Sequence, residues 1–222
     1  MSDANTYDIE GKQYPRMTRV IDIISKPEFY RWYAKNGYEK CESIKTDRAA
    51  FGTRVHQEIQ NILENKDVWY DNEEMRVSLA LFKDWKEEHK LEPVALELTL
   101  HNDLLGIAGT CDYVGKIDDR LMLLDWKTSK QVYDTHKLQV AGYTYMYEQA
   151  TGQELDGCGI IAIRDGKIRE KYLDRLEINA LLPVLLAASI AYRWKFRYKW
   201  EQTTVPFNYL QQLLYANEYL KE

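Results

Sequence analysis

Cysteine is scarce in this 222-residue chain. The three present, Cys41, Cys111 and Cys158, are scattered and odd in number, which suits reduced thiols rather than a disulfide framework. No two stand at metal-knuckle spacing, and three cannot complete a four-cysteine cluster. Long apolar runs are also missing. The longest, around Ala180 to Ala191, is broken by Pro183 and Ser189 and falls short of the roughly 20 residues of a membrane span. The opening MSDANTYDIEGKQYP is polar and acidic, unlike a signal or transit peptide, so the expected location is the cytoplasm. Positive charge is not in excess: the net charge of −5 gives no global attraction to nucleic acid, and any such binding must come from a local patch. No G-x-x-x-x-G-K-[ST] occurs, so an unwinding motor would have to be a separate chain. No repeat or Pro/Gly linker divides the sequence.

What is present suits one hydrophobic core: 45% apolar and 29% charged residues, in a chain too short to argue for two. We read residues 1–222 as a single domain, with a loose lead-in over 1–15, a core over 16–175 and C-terminal helices over 176–222. Thr18 is expected to cap a short helix through Val20, Ile23 and Ile24, ended by Pro27. Further helices are expected over 28–35, 48–65 and 72–90. Val55, Ile59 and Ile62 make an apolar stripe in the third of these, and Met75, Leu79, Phe82 and Trp85 in the fourth. The period then changes. Residues 95–100 read as a strand, 104–117 as a strand pair, and 121–127 as a short apolar strand suited to a sheet interior. Helix returns over 136–149. A hairpin turns at Asp165-Gly166 between strands 159–164 and 167–174, and helices follow over 178–200 and 208–219. This order predicts an α/β fold, a central sheet covered by helices.

The strand Leu121-Met122-Leu123-Leu124 ends in Asp125-Trp126-Lys127. Residues two apart on a strand share a face, so Asp125 and Lys127 emerge together at its tip while Trp126 points the opposite way, into packing. Alone, such a pair reads as an ion pair closing a strand. Asp112, however, lies on the preceding strand beyond a tight turn and is placed across from Asp125. Two carboxylates brought together repel unless a cation sits between them, and such oxygen donors suit magnesium or manganese. A lysine beside the metal can orient a water or stabilise charge developing on a phosphate. His56 stands in Phe51-Gly52-Thr53-Arg54-Val55-His56, where a glycine is read as opening a helix; a lone helical histidine is ordinarily structural. Gln139 and Tyr143, at i,i+4, share a helix face.

Taken in order, G-x-x-x-H (Gly52 to His56), the acid Glu97, G-x-x-D (Gly109 to Asp112), D-x-K (Asp125 to Lys127) and Q-x-x-x-Y (Gln139 to Tyr143) resemble the motif set of the RecB-like branch of the PD-(D/E)XK nucleases. Met17-Thr18-Arg19-Val20-Ile21 followed by Trp32 is similar to the first segment of small single-domain exonucleases in that branch. Those include phage recombination-type exonucleases and the mitochondrial genome-maintenance exonuclease. The resemblance covers about residues 16–175 and implies a restriction-endonuclease-like core, a central mixed β-sheet flanked by helices with extra N- and C-terminal helices. It implies Asp112 and Asp125 as metal ligands with the Trp126 carbonyl and His56, Lys127 as the catalytic lysine, and Gln139 and Tyr143 as positioning groups. Glu97 matches an acid that faces the same site. The implied cofactor is Mg2+ or Mn2+, with the imidazole favouring manganese. Iron–sulfur relatives place three cysteines near the C-terminus; none follows Cys158 here, so no cluster is expected.

The implied reaction is hydrolysis of a phosphodiester by a metal-dependent deoxyribonuclease, an exonuclease on DNA ends with single strands preferred. A structure-selective endonuclease or a non-catalytic DNA-binding or assembly module are the alternatives. A recombination or helicase protein is an expected partner, and a prokaryotic or phage-infected cell the expected host. Arg54, Lys130 and Lys137, close in sequence to the motifs, are candidate phosphate contacts. Residues 191–200 alternate basic with aromatic residues. They read either as a packed helix with solvated charges or as a single-strand contact through Arg193 and Arg197.

Overall fold

The computed structural model describes residues 6–24 and 26–196. It opens with a hairpin, β1 (Thr6–Ile9) and β2 (Lys12–Pro15), where a loose lead-in was expected. The pairing of Ile9 with Lys12 leaves a two-residue loop. Glu10 and Gly11 both take positive φ there, 54° and 79°, as a type I′ turn demands. Helix α1 (Met17–Ile21) follows, capped at Arg16 without a side-chain hydrogen bond; Thr18 lies inside its first turn rather than capping it. Pro27 opens α2 (Pro27–Asn36), its missing N–H being harmless at a first helical position.

Helix α3 (Tyr38–Leu63) begins ten residues before the expected start. Between Tyr38 and Ala50 only Cys41 is buried, so this part carries no apolar stripe from which its helicity could be read. Gly52 therefore sits in mid-helix and does not open one. Helix α4 (Glu73–Glu88) is capped by Asn72, whose side chain accepts the Met75 N–H at 2.9 Å. Then come β3 (Glu92–Asn102), β4 (Ile107–Ile117), β5 (Arg120–Lys127), α5 (Asp134–Thr151), β6 (Gly157–Arg164), β7 (Lys167–Leu173) and α6 (Arg175–Phe196). The expected helix over 208–219 lies outside the described residues.

Strands β3 to β7 form one sheet in sequential order. Its pairs are antiparallel except β5 with β6, which are parallel because α5 crosses between them. The fold is thus α/β with a central mixed sheet flanked by helices. On one face α1, α5 and α6 pack Met17, Val20, Tyr143, Met146, Ile178 and Leu185 against the sheet. On the other, α3 and α4 contribute Phe51, Val55, Ile59, Leu79 and Phe82. Strand β5 serves both faces: Leu123 joins the first cluster, and Met122, Leu124 and Trp126 the second. Trp126 is buried against Phe82 at 5.1 Å between ring centroids, the orientation its alternation predicts. By length and composition α6 could cross a membrane, but Ile178, Leu185, Leu186 and Tyr192 belong to the core.

Candidate metal centre

The β4–β5 register pairs Tyr113 with Leu124; one step further it sets Asp112 opposite Asp125. There the ladder gives way to a side chain. The Trp126 N–H donates to Asp112 Oδ2 at 2.7 Å, a buried bond, so the carboxylate takes the place of a strand carbonyl and pins its own position. The other oxygen, Oδ1, lies 3.3 Å from His56 Nδ1 of α3. Burial would raise the Asp112 pKa, but His56, Lys127 and the Trp126 N–H outweigh it and hold the carboxyl below its usual range.

Asp125, 1% exposed, goes the other way. Burial and the adjacent Asp112 charge outweigh the lysine and push it up to about 6. Its Oδ2 lies against the Lys127 ammonium. Two carboxylates this deeply buried are costly even with one lysine beside them. The cost falls if a cation binds.

Glu97 approaches from β3, between the pairs Leu96–Tyr113 and Leu98–Cys111, hence opposite Asp112. Its backbone φ is +47° in mid-strand, a conformation costing about 1–3 kcal/mol and typical of sites where a side chain is re-aimed. The residue as a whole is exposed, but its carboxylate turns inward: donor atoms of His56, Glu97 and Asp112 all lie within 4.8 Å of one another. Desolvation of the carboxyl, then the Asp112 charge, push Glu97 up to about 7. Two crowded acids beside an imidazole form a donor set suited to a divalent cation. Glu97, expected to face the site from behind the ligands or to contact a second metal, stands here as a candidate ligand in one donor set with His56 and Asp112, while Asp125 stands beside the triad.

On α5, Gln139 Nε2 donates to the Tyr143 hydroxyl at 3.1 Å, both groups buried. Burial and the Asp125 charge drive the Tyr143 pKa well above its usual value, so the phenol stays a donor. The two motif glycines have steric reasons. A Cβ on Gly109 would lie 2.6 Å from the Tyr143 ring, and one on Gly52 would lie 3.1 Å from Thr128 Oγ1, just beyond Lys127. Gly109→Ala is therefore expected to cost about 1–3 kcal/mol of stability by overpacking and to lower activity by displacing Tyr143. Chemical denaturation checks the first and turnover the second. Arg164 steadies the same loop, donating from Nη1 to the Thr128 carbonyl at 3.1 Å.

The candidate phosphate contacts fare differently. Arg54, Lys130 and Lys137 are exposed or half-buried, each beside an acid: Asp71, Asp165 at 3.4 Å and Asp134 at 2.9 Å respectively. Arg193 is not on the surface. It is 8% exposed, its guanidinium filling the space above Gly106, where an added Cβ would fall 1.2 Å from Nη2. That position corrects its reading as a phosphate contact: the aromatic–basic stretch packs at this point. Arg197 lies outside the described residues. Sequence reasoning passed over His136, in the first turn of α5, which feels the charges of Lys127 and Lys26; its rarity, one of four histidines, was the available signal.

Residues 28–202 match the family model described as the PD-(D/E)XK nuclease superfamily. No curated protein is significantly similar. Among solved structures, a phage related exonuclease from Haemophilus somnus 129PT is 15% identical with a TM-score of 0.38, over 80% of this chain and 92% of that one. The alkaline exonuclease LHK-Exo from Laribacter hongkongensis is 14% identical with a TM-score of 0.34, over 83% of this chain and 93% of that one.

Proposed function

Because the chain belongs to the PD-(D/E)XK nuclease superfamily, we propose that it hydrolyses DNA phosphodiesters in a divalent-metal-dependent reaction, as an exonuclease preferring single-stranded ends. The observation that carries this is the convergence of His56, Glu97 and Asp112 donor atoms within 4.8 Å of one another, beside the buried Asp125–Lys127 pair at the tip of the neighbouring strand. A purely structural ion pair needs no second set of donors beside it.

In this reading His56, Glu97 and Asp112 hold the ion, with Asp125 and the Trp126 carbonyl as further ligands. Bound there, Mg2+ or Mn2+ supplies Lewis-acid activation of water and neutralises phosphate charge. Lys127 orients the attacking water and donates to the phosphoryl oxygen as its charge grows. A water oxygen bonds to phosphorus, the bond to the 3′ oxygen breaks, and the proton ends on that oxygen, leaving a 5′-phosphate and a 3′-hydroxyl. Tyr143, whose hydroxyl accepts from Gln139, is buried where it feels the charges of the two aspartates, and there it acts as a positioning group. Arg54, Lys130 and Lys137 exchange their acidic partners for backbone phosphates, so binding falls steeply with salt. The buried free thiols of Cys41, Cys111 and Cys158 suit a reducing, cytoplasmic setting, and a recombination or helicase partner would supply the ends.

If Glu97 is a ligand, Glu97→Gln weakens Mn2+ affinity about 10–100-fold, read by calorimetry; unchanged affinity assigns it a positioning role only. The exonuclease reading itself is tested on single strands labelled at either end, beside a circular single strand, with Mn2+, Mg2+ or chelator. Trimming of the linear strand with metal while the circle survives is expected. Cutting of the circle shows an endonuclease instead.

A further inference from the structure

Helix α2 is the only described helix that buries no residue, although four of its ten residues are aromatic. Phe29 and Tyr30 are 43% and 67% exposed, and Tyr38, at the start of α3, is 71% exposed. A helix whose aromatics serve no core is free to present them. Their rings touch in series: Phe29 to Trp32 at 5.8 Å, Trp32 to Tyr33 at 5.3 Å, and Tyr33 stacked on Tyr38 at 5.9 Å. At Phe29 the series meets a cation. Lys26 Nζ lies 6.0 Å from the Phe29 ring. Burial, then the charges of Lys127 and Lys26, keep the His136 imidazole neutral, pushed down to about 3. His136 in turn meets the exposed Tyr133 ring at 5.2 Å.

The local charge suits a polyanion. Residues 26–45 hold five lysines and arginines against three glutamates, in a chain whose overall charge is −5. Lys26 and Lys45 are paired in the free protein with Asp22 and Glu42 at 2.5 and 2.8 Å. These are surface pairs worth little, which a phosphate can replace.

We propose that this aromatic run, from Phe29 to Tyr38, is a stacking track for the single-stranded tail of the substrate. The proposal rests on the nuclease reading and specifies its substrate as unpaired nucleotides. Only unpaired bases offer their faces to such rings, and stacking of this kind is indifferent to sequence. A duplex keeps its bases stacked on one another and gains nothing from it.

The test is fluorescence anisotropy with a labelled long single strand and a blunt duplex, in chelator so that no hydrolysis intervenes. Stacking on an aromatic is worth about 1–3 kcal/mol per base, so the double variant Phe29→Ala/Tyr38→Ala should bind the single strand at least ~10-fold more weakly. The blunt duplex should bind unchanged. Phe29→Trp should retain single-strand affinity. Tyr30→Ala should behave as the wild type, since Tyr30 is exposed but makes none of the described ring contacts. With Mn2+, the double variant should still cleave a trinucleotide while losing activity on the long strand. Equal single-strand affinity in the double variant and the wild type overturns the track, as does an equal loss on single strand and duplex. Absence of cleavage of either substrate by the wild type strikes the nuclease reading instead, a result distinct from both.

Discussion

Asp112→Ala is expected to abolish stabilisation by Mn2+ or Mg2+ and to lower hydrolysis by about three orders of magnitude or more. A cation present at a hundredfold excess over its dissociation constant stabilises the folded state by about 2.7 kcal/mol. In a chain of this size that raises the melting temperature by roughly 5–10 °C. Asp112 carries two duties, a donor shared with His56 and Glu97 and the acceptor for the buried Trp126 N–H. The alanine loses both, and the orphaned N–H alone costs about 1–3 kcal/mol in the metal-free protein. Asp112→Asn separates the duties: its amide oxygen still accepts the Trp126 N–H, while the charge that attracts the cation is gone. The asparagine variant should therefore melt close to the metal-free wild type, fail to respond to metal, and be inactive. A metal response surviving in Asp112→Asn places the cation elsewhere.

Lys127→Ala is expected to lower the turnover rate about 10²–10³-fold while the protein still binds metal. The ammonium lies against Asp125 rather than within the donor triad, so its loss removes charge stabilisation in the reaction without removing a ligand. It also leaves the Asp125 carboxyl, already pushed up to about 6, without its neighbouring cation, raising it further; bound metal should reverse that. Lys127→Arg is not expected to rescue, because the planar guanidinium cannot take the place of a compact ammonium in a half-buried site. Turnover at saturating substrate, read beside Mn2+ affinity by calorimetry, checks both halves. Loss of metal binding together with activity would make the lysine structural.

The tip of β5 was legible because a short apolar run ending in acid, tryptophan and base leaves little choice of geometry: alternation alone puts Trp126 inside and Asp125 with Lys127 together. The facing of Asp112 by Asp125 followed from the tight turn at residues 118–119. Two elements were not legible, and one residue was legible in role but not in backbone. The first turns of α3 face solvent and carry no stripe. The β1–β2 hairpin depends on Glu10 adopting positive φ, which a glutamate does not advertise. Glu97 was named from the motif order, but it reaches the donor set through a left-handed backbone in mid-strand, which no periodicity anticipates. Arg193 shows the opposite failure: an alternation of basic and aromatic residues reads alike whether its arginine meets phosphate or packs over Gly106, and only the fold decides.

The most direct measurement is anomalous diffraction from crystals soaked in Mn2+. A peak bounded by His56, Glu97 and Asp112, beside Asp125 and absent from Asp112→Asn crystals, is the result this account predicts. A peak elsewhere, or none at a concentration that stabilises the protein in solution, contradicts it.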